Sequence, residues 1–206
     1  MLTAELLSGL RTLLDEATEE FWTDEECYTA LSNGQSEYIS IILAQYKAKS
    51  LINPSEPIPE ILKPLYTESV QSIVGATTLA LPPTFLYDIS VYLGAPYEKA
   101  LLKRELSKSR RFEQANIYSS GNGEYYSIDG TNINLEIDNV PVSLSVTFDY
   151  LVKPTYIGAL IEPILPDFTH NSVITYAYAE LLKKTGNRFD EADRQFKLFL
   201  SLVKYI

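Results

Sequence analysis

The 206-residue sequence predicts an α+β fold: mainly a helical bundle with an inserted antiparallel β-rich region. Two observations carry this. Apolar residues recur at helical spacing near both ends of the chain, and the middle instead shows strict alternation punctuated by Gly, Pro and Asn-Asp turn residues. The expected division is a helical core from residues 1–52 and 155–206, with residues 53–154 forming a β-rich insertion that carries a basic surface helix.

Leu2, Leu6, Leu7, Leu10, Leu13 and Leu14 place an amphipathic helix over residues 3–17, with an acidic outer face. Thr23 starts a second helix. Glu26 stands three residues on, as in a capping box, and Asp24 and Glu25 lie at the positive end of the helix dipole. Leu31, Gln35, Tyr38, Ile39, Ile42, Leu43 and Tyr46 line one side of this helix as it runs towards Lys49. Asn33-Gly34 interrupts the middle, where glycine costs about 1 kcal/mol relative to alanine, so a kink or a close helix crossing is expected there.

Asn53-Pro54-Ser55-Glu56-Pro57-Ile58-Pro59 cannot continue a helix and reads as an extended connector. A short helical turn over residues 60–66, broken at Pro64, follows. From Gln71 the pattern becomes β-like up to Leu81-Pro82-Pro83, and a strand over residues 85–93 ends at Gly94. Residues 97–117 read as the basic helix. Residues 125–128, 132–137 and 143–151 read as a three-strand meander with one packed and one polar face, turning at Asp129-Gly130 and at Asp138-Asn139-Val140-Pro141. The chain then returns irregularly to two antiparallel helices. The first carries Val173, Ile174, Ala177, Tyr178, Leu181 and Leu182 and is ended by Gly186. The second carries Ala192, Phe196, Phe199, Leu200 and Val203.

Chemistry-bearing motifs are sparse. There is no Gly-rich phosphate loop, no Cys/His metal spacing and no nucleophile elbow, so no catalytic residue, metal or cofactor is expected. The single cysteine, Cys27, rules out an internal disulfide and reads as a small core residue. His170, the one histidine, reads as a surface residue at a helix N-terminus. No apolar run approaches the roughly 20 residues a bilayer requires, and residues 1–5 lack a secretory leader's basic start, so no membrane association is expected.

The net charge of −10 is unevenly placed. Residues 1–26 hold eight acids, Glu16, Glu19 and Glu20 among them, against Arg11 alone. Residues 98–113 hold six bases, including Lys103, Arg104, Lys108, Arg110 and Arg111, against three acids. This reads either as solvated helix faces or as a bipolar subunit whose acidic part meets a neighbour's basic part. Fifteen tyrosines invite a similar choice between core and interface. Tyr118, Tyr125 and Tyr126 flank the glycine tip Ser119-Ser120-Gly121-Asn122-Gly123 and are read as contact residues.

Four stretches resemble the head-to-tail adaptor (connector) proteins of tailed bacteriophages, particularly the rings beneath the portal in short-tailed phages. They are Trp22-Thr23-Asp24-Glu25-Glu26 leading into Leu31-Ser32-Asn33-Gly34-Gln35; Leu81-Pro82 before a strand; Tyr150-Leu151-Val152-Lys153-Pro154 after the meander; and Leu165-Pro166-Asp167 before Ile174-Thr175-Tyr176-Ala177. Gly34, where alanine is more usual, and the long basic segment depart from the pattern.

The resemblance implies a structural virion protein without turnover. It would assemble in the host cytoplasm and reside at the neck as one subunit of a ring, commonly a dodecamer, that binds the portal and downstream tail or nozzle proteins and lets DNA pass through its centre. The acidic N-terminal helices would then contribute to the conduit wall or the subunit seam. The apolar C-terminus, with Leu198, Val203 and Ile206, would dock into a partner. The competing expectation is a nucleic-acid-binding module gripping phosphates through the basic 99–111 helix.

Overall fold

The structure is a computed structural model that describes residues 2–16, 21–53, 55–74, 76–95, 98–104, 125–137, 143–186 and 188–203. The chain divides into two compact units, Met1–Leu65 together with Pro154–Ile206, and Tyr66–Lys153. The α+β class holds. Residues 53–65, expected in the insertion, group instead with the helices, where Ile61, Leu62 and Leu65 are fully buried.

The helical unit contains α1 (Thr3–Leu14), α2 (Asp24–Ile52), α3 (His170–Lys184) and α4 (Phe189–Leu202). α1 ends with its last leucine, short of the expected residue 17, because Asp15 takes a left-handed conformation (φ 60°) and caps it. The capping box of α2 forms as expected, with Glu26 N–H donating to Thr23 Oγ1 (3.2 Å) and Thr23 N–H to Glu26 Oε2 (3.1 Å). α2 then runs for 29 residues straight through Gly34. The reason is a close crossing rather than a kink: a Cβ at Gly34 would lie 2.8 Å from the backbone oxygen of Val173 on α3.

The α3 stripe is buried throughout, and Gly186 (φ 76°) follows the helix. α4 buries less than its pattern suggests: Ala192 and Phe199 are buried, Phe196 is half-buried and Leu200 is exposed. Phe199 sets its ring edge-on to Tyr38 of α2 (6.4 Å) and Tyr176 of α3 (5.1 Å), so the packing of all three helices converges on it.

The β unit contains β1 (Tyr66–Ile73), β2 (Thr78–Ala80), β3 (Phe85–Leu93), β4 (Lys99–Ala100), β5 (Leu102–Lys103), β6 (Tyr125–Asp129), β7 (Asn132–Glu136) and β8 (Leu144–Val152). They form two four-stranded sheets, ordered β1-β8-β3-β4 and β2-β7-β6-β5. The inner faces share one apolar core that includes Val91, Leu93, Ile133, Leu135, Val146 and Phe148.

Two expectations are corrected here. The three-strand meander does not form: β6 and β7 make the expected hairpin, with Gly130 at φ 58°, but β8 crosses to the other sheet and pairs with β1 and β3. Alternation specifies which face a strand buries and leaves its neighbour open. The basic helix expected over residues 97–117 is not found where its start is described, since Lys99–Ala100 and Leu102–Lys103 are short strands; residues 105–117 lie outside the described residues. Leu101 is buried and Leu102 exposed, the period of a strand, and the Leu101 N–H donates to the Val91 carbonyl (2.8 Å).

Candidate interaction surfaces

Four of the side chains expected at an interface meet in the β unit, where they pair with groups of that unit. β5 runs parallel to β6 and sets Leu102 beside Tyr125 and Lys103 beside Tyr126. Asp88 of β3 is buried on the opposite sheet. Lys103 Nζ donates to its Oδ1 (2.6 Å) and the Tyr126 hydroxyl to its Oδ2 (2.7 Å), so one carboxylate links the two sheets. Burial, then the Asp88 charge and the hydrogen bond to it, push the Tyr126 hydroxyl far above its ordinary pKa, so it stays a donor. Arg104 Nη1 donates to Glu136 Oε2 (2.6 Å), and its guanidinium lies 3.7 Å from the centre of the Tyr125 ring. Tyr126, expected at a contact surface, is instead 3% exposed and belongs to the core.

Glu16 sits in a second knot, between α1 and α2. Arg11 is buried and donates through Nη2 to the Trp22 carbonyl (3.2 Å) and to Asp24 Oδ1, and its Nη1 lies 3.7 Å from Glu16 Oε2. Glu16 also accepts the Trp22 N–H (3.3 Å). It is thus a half-buried counterion holding the α1–α2 corner, not a member of an exposed acidic wall.

His170 departs most from its expected surface position, at 1% exposure on the first residue of α3. Nε2 is 2.9 Å from the Leu165 carbonyl, which makes it the protonated nitrogen. Nδ1 has no hydrogen-bond partner, and the Asp167 carboxylate lies 3.7 Å away. Burial lowers its pKa, opposed by the bond to Leu165. The residue type does not signal this, because the acceptor is a backbone carbonyl, that of Leu165 in the irregular stretch before α3.

The segment entering α3 is fastened to α2 by neutral polar side chains. Gln35 Nε2 donates to the Thr155 carbonyl (3.0 Å) while its Oε1 accepts from Ile164 N–H (2.9 Å), and Ser32 Oγ accepts from Ile157 N–H (2.9 Å). Between these anchors a tight turn closes with Gly158 and Ile161 exchanging backbone hydrogen bonds, and Leu160 at its tip is 98% exposed.

Of the expected C-terminal docking residues, Leu198 is exposed on α4 and Val203 is half-buried at its end. Glu19, Glu20, Lys108, Arg110, Arg111, Tyr118 and Ile206 lie outside the described residues. Among the described residues no helix is long and apolar enough to cross a membrane, and no three His, Cys, Asp or Glu side chains are placed to hold a metal ion. No protein-family model and no curated protein matches this chain.

Proposed function

We propose that this chain is a structural subunit of the head-to-tail adaptor of a short-tailed bacteriophage, forming a ring below the portal through which DNA passes to the tail. The observation that carries the reading is where the resembling stretches fall. Trp22-Thr23-Asp24 caps α2, Leu81-Pro82 leads to β3, Tyr150 to Pro154 covers the exit from β8, and Leu165-Pro166-Asp167 turns the chain into α3. Short motifs at element junctions are informative because junctions are where backbone geometry restricts residue choice.

A net charge of −10 is compatible with a conduit, since a wall of clustered bases would hold DNA through counterion release and an acidic one lets it slide. The placement of Lys103 on Asp88 and of Arg104 on Glu136 agrees with this, because a phosphate would have to displace a carboxylate at each. Mass photometry of the purified chain, alone and with a short-tailed phage portal ring, tests the reading. A ring-sized species or a stoichiometric portal complex is expected. A strictly monomeric chain that ignores the portal would refute it.

A further inference from the structure

Of the four end strands of the two sheets, three are blunted. β4 (Lys99–Ala100) and β5 (Leu102–Lys103) are two residues long and each carries a lysine, and β2 (Thr78–Ala80) has three residues. Short edges and lysines keep sheets from joining edge to edge. β1 has neither protection. It runs for eight residues, Tyr66–Ile73, without Lys, Pro or Gly, and its pairing with β8 passes through all of them without a bulge. Among the described residues nothing bonds to its backbone on the other side, so alternate N–H and C=O groups point away from β8 along its length.

The side chains of β1 decide what fits there. Tyr66, Glu68, Val70 and Ser72 are exposed on one face, Thr67, Ser69 and Gln71 are half-buried on the other, and Ile73 enters the apolar core. A row of unpaired backbone groups is matched by another extended strand. β1 matches itself. Turned about a two-fold axis at Val70, an antiparallel second copy sets Val70 against Val70, Glu68 against Ser72 and Ser69 against Gln71, each pair on one face. This covers Val70, which is 61% exposed in the single chain. Glu68 is the only charged residue of the strand, and this register holds the two carboxylates about 14 Å apart. An axis at Glu68 would set them directly opposite, which is unfavourable, and one at Ser69 would leave them diagonal neighbours within reach of each other.

We infer that two copies of this chain pair through β1, joining two four-stranded sheets into one. The contact is isologous and closes at two copies, so it cannot be the contact between successive subunits of a cyclic ring. It belongs to the chain off the ring and stands or falls apart from the ring reading.

Cysteine cross-linking of the full chain tests the register. Under mild oxidation Val70→Cys should give a covalent dimer, because opposite residues of an antiparallel pair hold their Cα atoms about 4.5–5.5 Å apart, inside disulfide range. Ser72→Cys alone should not, since its two copies stand about 14 Å apart, but mixed with Glu68→Cys it should cross-link to that variant. The native Cys27 is buried and stays out of the reaction. Without oxidation, the wild type should sediment as a dimer. Val70→Lys places two ammonium groups at the axis and should weaken that dimer at least about fivefold, with an unchanged circular dichroism spectrum because the side chain is exposed. Equal cross-linking at positions 70 and 72 would overturn the inference. So would a wild type that stays monomeric at every concentration, including one whose β1 accepts a strand only from a different protein; portal binding by such a monomer would leave the ring reading intact.

Discussion

The stretch entering α3 and the β unit both involve buried polar side chains, but these are satisfied in different ways. In the helical unit Ser32, Gln35 and His170 bond to backbone groups of residues 155–165, fastening an irregular stretch to α2 and the start of α3 through several neutral contacts. In the β unit the buried Asp88 takes its partners from side chains, Lys103 and Tyr126, and one ionised group bridges two sheets. Neutral hydrogen bonds contribute about 1 kcal/mol each, so the first arrangement spreads its dependence over many residues. A buried charge concentrates it, because removing one partner leaves the others without a counterpart in a poorly solvated place.

The sharpest way to break this contrast is Asp88→Ala. It strands the buried Tyr126 hydroxyl and leaves the Lys103 ammonium to find water. Lys103 is about half exposed and can do so, which puts the expected loss near the low end for a broken buried pair, about 3 kcal/mol by urea denaturation. A loss under about 1 kcal/mol would mean that the carboxylate is no more important than an ordinary hydrogen-bonding group. Gln35→Ala should come next, at about 2 kcal/mol, since it orphans the Thr155 carbonyl and the Ile164 N–H together. Hydrogen exchange should locate the new mobility in residues 155–165, and an effect spread evenly over all helices would contradict the fastening role.

The smallest effect near neutrality, and the one that needs its sign worked out, belongs to His170. Burial lowers its folded pKa below the ordinary value near 6.5, so the folded state binds this proton more weakly than the unfolded chain. The stability is fully present above pH of about 6.5 and falls as the pH drops from there through the folded pKa, with a slope of at most about 1.4 kcal/mol per pH unit for one proton. Asp167 and Glu5, the carboxylates that act on the ring, soften this slope. Melting curves of His170→Gln and wild type between about pH 7.5 and 5 should diverge towards acid, with the variant flatter. Parallel curves would show that the ring is not carrying the acid sensitivity.

Much of the helical unit was legible because its evidence is local and periodic. Val173 to Leu182 declare a buried face, Thr23 and Glu26 a cap, and Gly34 a close approach that only a missing Cβ permits. The first half of β1 was not, since Thr67, Glu68 and Ser69 have no apolar alternation to detect. The partner of β8 was hidden for a different reason: its alternation fits either sheet, and the choice depends on residues about eighty positions earlier. Tyr126 and Lys103 looked like surface chemistry because the sequence says nothing about Asp88 standing opposite them, and His170 looked solvent-facing because its acceptor is a backbone carbonyl. Polar residues satisfied by distant groups cannot be told from polar residues satisfied by water until the chain is folded.

The close approach at Gly34 joins residues separated by about 140 positions, and this has a bearing on biosynthesis. During synthesis α1 and α2 leave the ribosome well before α3 exists, with Leu31, Tyr38, Ile39 and Ile42 uncovered while the intervening sheets are still being made. Such non-local closure is slow and leaves the early helices prone to aggregation or to attachment by chaperones. Nascent chains stalled before residue 170 should therefore be captured by holdases in a way that full-length chains are not.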